Sequence, residues 1–393
     1  VISFASATST QQGLQVRFVG GSGEARGARF VVPWWWLRDH GEDAQSRDPD
    51  TCQRLVDTVK IDPAIAPYGM GVAPDQQSVG IRWRDGSATM HTAAGLSDAY
   101  DSRRLLGPSL RAKLQRPPGD EDVVLWSTPA NEATRVFFYP DLLRGGDNTA
   151  DWLRHIRRWG VAVVDGVPPG RAPVRELAAL LGYVRETVFG GVWELDATVT
   201  DHADSAYSTT ELAPHTDGTY SHDAPGLQLF SCQQREGEGG YSTLVDGFAA
   251  AARLMDTHPQ FADILSRVSV VGQYVEPGVH LMADRPPLRF DARGRLRQVT
   301  YNNYDRAPFL VHPADDAARV RDAMATFGRM VTDPSARIEL AWKPAQLMVI
   351  DNWRLLHGRT TYSGRRRFFG CYTNYEDFES KLRVLRTPYS VTR

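Results

Sequence analysis

The sequence predicts a mostly β protein with flanking helices, a jelly-roll sheet sandwich preceded by a small β-rich N-terminal domain. Three observations carry this. Short β-patterned runs alternate with turns dense in Gly, Asp and Pro near both ends of the chain, the pattern of an antiparallel sandwich. Helical periodicity is confined to a few segments between them. The length of 393 residues exceeds the usual size of one domain, and the stretch QRPPGDED reads as a linker. The expected division is an N-terminal domain over residues 1–115, a linker over 116–145 and the main domain over 146–393.

In chain order, LQVRFV, ARFVVPWWWL, SVGIRW and SATMHTA form the N-terminal β pattern, separated by GGSGEARG and RDGS. Trp34 to Trp36 fit core or interface packing, because tryptophan buries a large area. His40 and Cys52 are too few for a four-ligand zinc centre unless His91 and another group join them, so structural zinc is not expected. LLGPSLRAKL begins as a short helix before the linker. DNTADWLRHIRRW is helical and leads into the buried strand VAVVD; APVRELAALLGYV is an amphipathic helix with Pro173 near its first turn. After Val184 the pattern is β again, interrupted by one helix, GFAAAARLMDTHPQFADILSRV, and by DDAARVRDAMATFGRMV before the last strands. There is no internal repeat or low-complexity tract.

Composition excludes several classes. A net charge of −2 gives no reason to expect nucleic acid or an anionic membrane as partner. No apolar run reaches the roughly 20 residues of a membrane span, and VISFASATSTQQG lacks the basic and apolar regions of a signal peptide. Cys52, Cys232 and Cys371 are too scattered for a disulfide framework, which suits a reducing cytoplasm. The tryptophan-rich N-terminal region suggests a homodimer.

The chemistry centres on ELAPHTDGTYSHDAPGLQLF, which offers His215 and Asp217 two residues apart. In a strand such residues share a face. Far downstream, AQLMVIDNWRLLHGRTTYSGRRRFFGCY supplies His357 and then an arginine-rich strand. Two imidazoles and one carboxylate make the facial triad that leaves iron positions open. A following arginine suits the far carboxylate of a 2-oxoglutarate cosubstrate. Arg365, Arg366 and Arg367 compete for that role, and strand parity groups Arg366 with Phe368, Gly370 and Tyr372.

RETVFGGVW, DSAYSTTELAPHTDGTY, GGYSTLVDGF, TYNNYDRA and the His357 stretch, in that order, resemble the trimethyllysine dioxygenase and γ-butyrobetaine dioxygenase family, more closely its trimethyllysine branch. WLRDHGEDAQSRDPDTCQRLVDT resembles the N-terminal domain of the same enzymes. The resemblance implies a double-stranded β-helix that uses Fe(II), 2-oxoglutarate and O2, with ascorbate as a reductant, to hydroxylate an unactivated carbon of a trimethylammonium compound. It implies iron ligation by His215, Asp217 and His357, and 2-oxoglutarate binding by Arg366 with Ser242 in place of the family's threonine. It also implies an aromatic cage of Trp193, Tyr207 and Tyr372, with Phe189 where the family often has tyrosine. Asp204 matches an aspartate of the trimethyllysine branch, suited to an α-ammonium, and Asn302 and Asn303 match asparagines that meet the substrate carboxylate. The butyrobetaine branch's zinc-binding cysteines have no counterpart.

Three other classes compete with the oxygenase. A zinc hydrolase is opposed by Arg366 and the lack of a general base beside the triad. A catalytically dead jelly-roll is opposed by the intact triad. A halogenase would need a non-ligand at position 217, where this chain has Asp217.

Overall fold

The computed structural model describes residues 2–20, 25–51, 53–101, 123–126, 132–196, 208–291 and 294–386. The expected domain division near residue 115 and the LLGPSLRAKL segment lie outside these, as do Cys52, Asp204 and Tyr207.

Two sheets dominate the chain after residue 132. The larger has seven strands in the order Val192–Asp196, Arg366–Thr373, Leu227–Arg235, Leu347–Asp351, Val161–Asp165 and Val136–Phe138, with Val184–Arg185 also beside Arg366–Thr373. The smaller runs Leu212–His215, Leu355–Arg359, Ser242–Asp246, Arg337–Leu340. Every pairing in them is antiparallel except Val136–Phe138 on Val161–Asp165.

Side-chain alternation explains how the layers stack. LMVID at Leu347–Asp351 is buried throughout, as a strand covered on both faces must be. Leu347 and Val349 enter a core shared with the helices Asp147–Trp159, Arg171–Leu181 and Tyr375–Arg386, through Trp152, Leu177 and Phe378. Met348 and Ile350 point the other way, to meet Leu244, Ile338 and Leu355 of the smaller sheet. The strand Arg366–Thr373 divides likewise: Phe369 and Cys371 face the helices, and Phe368 faces the second sheet. Arg366, Gly370 and Tyr372 therefore share the inner face with Phe368.

Two local expectations are corrected. The single helix expected over GFAAAARLMDTHPQFADILSRV is two, Gly247–Thr257 and Pro259–Leu265. Pro259 has no N–H to continue the first helix and opens the second instead. The PWWWL run does not extend its strand: Arg29–Pro33 ends at the proline and the helix Trp34–Asp39 follows.

That short helix joins the N-terminal region to the rest. Two three-stranded sheets, Ser3–Ser9/Gly13–Val19/Arg29–Pro33 and Pro67–Val72/Ser78–Trp83/Ala88–Thr92, share a core that takes in Trp34, Trp36 and Leu310. Trp36 Nε1 donates to the carbonyl of Phe309 at 2.6 Å. At the end of the helix, buried Asp39 receives Arg54 at 2.5 Å, Arg306 at 3.0 Å and the Thr58 hydroxyl at 2.8 Å. Burial alone would raise its pKa, but the two guanidiniums prevail and hold it well below the usual carboxylate range. Its contribution to stability is complete above that range and fades as pH falls below it. Asp39→Asn leaves two buried guanidiniums without their anion and should cost about 3–5 kcal/mol, read as a lower urea midpoint at neutral pH. The gap between variant and parent should narrow in acid.

Candidate active site

The strand Leu212–His215 pairs with Leu355–Arg359 so that His215 stands opposite His357. Asp217 lies just past the strand end and turns back toward both rings. Its Oδ1 is 3.4 Å from His215 Nε2 and 3.6 Å from His357 Nε2. The three ligand atoms lie within 4.8 Å of one another, the one such group among the described residues.

Neighbouring groups fix each ligand. His215 Nδ1 sits 2.8 Å from the carbonyl of Ala213, which sets the tautomer and turns the Nε2 lone pair to the centre. The other oxygen of Asp217, Oδ2, receives the Tyr372 hydroxyl at 2.7 Å and Gln228 Nε2 at 2.6 Å. Asn352 clamps the backbone, accepting from Asp217 N–H at 2.8 Å and donating to its carbonyl at 3.1 Å. Burial would raise the Asp217 pKa, yet the two imidazoles hold it far below the ordinary range. Burial pushes His357 down to about 4, so it is neutral near pH 7. Burial opposes a charge on His215 as well, but Asp217 outweighs it and the pKa rises. Two imidazole nitrogens and a carboxylate oxygen converging without a cation of the protein's own between them fit a divalent metal ion.

The triad opens into a cavity whose wall includes Phe189, Trp193, Ser242, Asn302, Arg366 and Tyr372 of the expected site. Trp193 lies over Gly370, where a Cβ would come within 2.0 Å of the indole ring; glycine is required there. Its ring is 5.5 Å from those of Phe230 and Tyr372. Phe189 meets Tyr274 edge-on at 5.4 Å. Asn303 does not join the wall: its side chain donates to the carbonyl of Val56 at 3.2 Å and ties the turn to the N-terminal region.

Of the three arginines, only Arg366 faces the cavity. Arg367 pairs with Glu194 at 2.5 Å, and Arg365 is more than half exposed. The Arg366 guanidinium lies 4.0 Å from the Phe368 ring centroid, and its buried Nε has no hydrogen-bond partner among the described residues. Burial and then neighbouring Arg359 push its pKa down to about 10, so it remains charged near neutrality. Ser242 Oγ accepts from Trp342 Nε1 at 2.8 Å, which leaves its own proton to donate.

Residues 127–372 match the Taurine catabolism dioxygenase TauD, TfdA family. The chain belongs to the TauD/TfdA dioxygenase family. Trimethyllysine dioxygenase of Bos taurus is 30% identical over 89% of this chain and 82% of that protein. Trimethyllysine dioxygenase of Meyerozyma guilliermondii is 29% identical, covering 89% of each. Gamma-butyrobetaine dioxygenase of Homo sapiens is 27% identical, covering 91% of each. The chain is accordingly an oxygenase, of a family whose chemistry uses iron and 2-oxoglutarate.

Sequence reasoning missed several residues of this cavity. Gln228 is a polar residue between Leu227 and Leu229 in a buried strand, a signal that could have drawn attention to it. Arg359, two residues after His357 in its strand, and Tyr220 and Tyr304, within stretches quoted above, were open to strand parity and proximity, whereas Gln53 and Asp305 meet in the cavity wall through a contact between distant segments. Because Gln228 holds the outer oxygen of Asp217, Gln228→Leu should weaken divalent-metal binding 10–100-fold while leaving the secondary structure intact. Anaerobic metal titration followed by calorimetry measures the change.

Proposed function

We propose that this chain is an Fe(II)- and 2-oxoglutarate-dependent hydroxylase of a trimethylammonium amino acid, Nε-trimethyllysine or a close analogue, acting at C3. The two facing sheets are then a double-stranded β-helix, with His215 and His357 on the smaller sheet and Arg366 on the larger. The observation that carries the reading is the charged Arg366 guanidinium beside the triad, with no carboxylate paired to it among the described residues. An anionic cosubstrate is what such a group lacks.

In this reading His215, Asp217 and His357 hold the iron. Bound iron would supply dioxygen chemistry, one oxygen atom entering succinate as 2-oxoglutarate loses CO2 and the other entering the substrate carbon. The remaining work falls to the chain. Arg366 and the Ser242 hydroxyl receive the far carboxylate of 2-oxoglutarate. Tyr372 and Gln228 hold the outer oxygen of Asp217, so that the inner one keeps its direction. Trp193, Tyr372 and Phe189, with Tyr207, give a quaternary ammonium the aromatic faces it needs, since it has no N–H to donate. Asn302 receives the substrate carboxylate, and Asp204 is the residue the resemblance offers to the α-ammonium.

The trimethyllysine dioxygenases at 29–30% identity support this substrate class. A homodimer and a cytoplasmic location belong to the same proposal. The buried free thiols of Cys232 and Cys371 are compatible with a reducing compartment, and light scattering at micromolar concentration tests the dimer.

Two measurements test the function. Succinate release should be stimulated by trimethyllysine more than by lysine or γ-butyrobetaine; no response to any quaternary ammonium defeats the substrate assignment. Arg366→Ala should raise the KM for 2-oxoglutarate at least tenfold, the loss of about 1.4 kcal/mol or more expected for a charge-assisted contact. Arg365→Ala and Arg367→Ala should change it much less, and a reversed ranking removes Arg366 from the role.

A further inference from the structure

The strand that carries His215 is the weakest-held of the smaller sheet. Leu212–His215 is at the end of the strand order, with a neighbour on one side only. Its register against that neighbour is broken. Between the pairs Leu212–Arg359 and His215–His357 it has two residues, Ala213 and Pro214, where the partner strand has only Gly358. One extra residue makes a bulge, which bends a strand and re-aims the side chains after it. Because the side-chain period is two, a slip of one residue would turn His215 to the opposite face. Pro214 has no N–H with which to strengthen the pairing.

The segment Tyr301–Tyr304 covers what the sheet leaves open. Ala213 N–H donates to the Tyr304 hydroxyl at 2.7 Å. Beyond the ligand, Thr216 N–H donates to the Tyr301 carbonyl at 2.8 Å, and Tyr301 N–H donates back to the Thr216 hydroxyl at 3.0 Å. These bonds bracket His215. The bond at Ala213 sits within the bulge, on the residue whose carbonyl meets His215 Nδ1 at 2.8 Å. The Tyr304 ring also stands edge-on to the His215 ring, 5.9 Å between centroids. The segment has anchors of its own, Asn303 on the Val56 carbonyl at 3.2 Å and Arg306 on Asp39 at 3.0 Å.

We infer that Tyr304 is a positioning residue of the metal centre: its hydroxyl, on the Ala213 N–H, holds the bulge that aims His215 at Asp217 and His357. The inference rests on the reading of the triad as a metal site and is independent of the substrate. The outer groups of a metal ligand matter because they fix its ring orientation and tautomer. For His215 that group is a backbone carbonyl, which is only as well placed as the strand it belongs to. A hydroxyl fixed on an anchored segment supplies the contact that a second neighbouring strand would otherwise give.

The test uses the full chain, titrated anaerobically with Fe(II) for affinity and with Co(II) for its visible bands, which report ligand geometry. Tyr304→Phe keeps the ring and removes the hydroxyl. It should weaken Fe(II) binding about three- to tenfold, less than the loss of a group bonded directly to a ligand side chain, and should shift the Co(II) bands. Thr216→Val removes the acceptor for Tyr301 N–H without changing shape and should move both readouts in the same direction. It decides the question if circular dichroism shows Tyr304→Phe to be misfolded. Phe378→Leu, a substitution in the core beneath the helices, is the control: it should lower the melting temperature and leave the bands where they are. Unchanged affinity and bands in a folded Tyr304→Phe overturn the inference, as does an equal band shift in Phe378→Leu. So does a Tyr304→Phe variant that changes only the KM of an organic substrate, since Tyr304 would then be a substrate contact. A parent protein that binds neither metal defeats the metal-site reading itself, and the inference with it.

Discussion

A carboxylate set between two imidazoles has to present one oxygen to a metal ion and keep the other turned away. In the proposed metal site of this protein that constraint falls on Asp217, and the groups around it are arranged to meet it. Its outer oxygen is held by a hydroxyl and an amide from two neighbouring strands of the larger sheet, Tyr372 and Gln228. Its backbone is held from both sides by Asn352, at the end of a strand buried on both faces. The imidazoles come from paired strands of the smaller sheet. The ligand set thus depends on the register of both sheets at once, and the core between them sets the direction of a single side chain.

The N-terminal region takes part in this arrangement. Its core includes Leu310, and its short helix sends Trp36 to the Phe309 carbonyl and Asp39 to Arg306. Asn303 adds a bond to Val56. These contacts all converge on the segment between Tyr301 and Leu310, which supplies Asn302, Tyr304 and Asp305 to the cavity. A buried ion pair is not by itself a strong source of stability, because desolvation opposes it. Its value here is positional: arginines from two distant segments share one anion.

Much of the site was legible because its signals are local. The His215–Asp217 spacing and the position of His357 in an apolar strand pointed to three residues that the fold brings within 4.8 Å of one another, and strand parity set apart Arg366, the one of the three arginines that lines the cavity. The helical segments followed from periodicity, although Pro259 should have divided one of them. What stayed hidden depends on long-range pairing. Gln228 acquires its role only when its strand pairs with that of Tyr372. Asp305 and Gln53 are ordinary polar residues until the chain brings them together from 252 positions apart. Adjacent turn residues point in different directions, so Asn302 lines the cavity while Asn303 donates to the Val56 carbonyl.

The central claim is that the triad and Arg366 form one centre that holds iron and 2-oxoglutarate together. Anaerobic titration of 2-oxoglutarate into Fe(II)-loaded protein, followed by visible absorption, tests it most directly, because chelation of ferrous iron by the keto acid produces a charge-transfer band. The account predicts a saturable band in the parent protein and none in His357→Ala at the same iron concentration. A parent protein that binds Fe(II) but develops no band, or a His357→Ala variant that develops the full band, would contradict it.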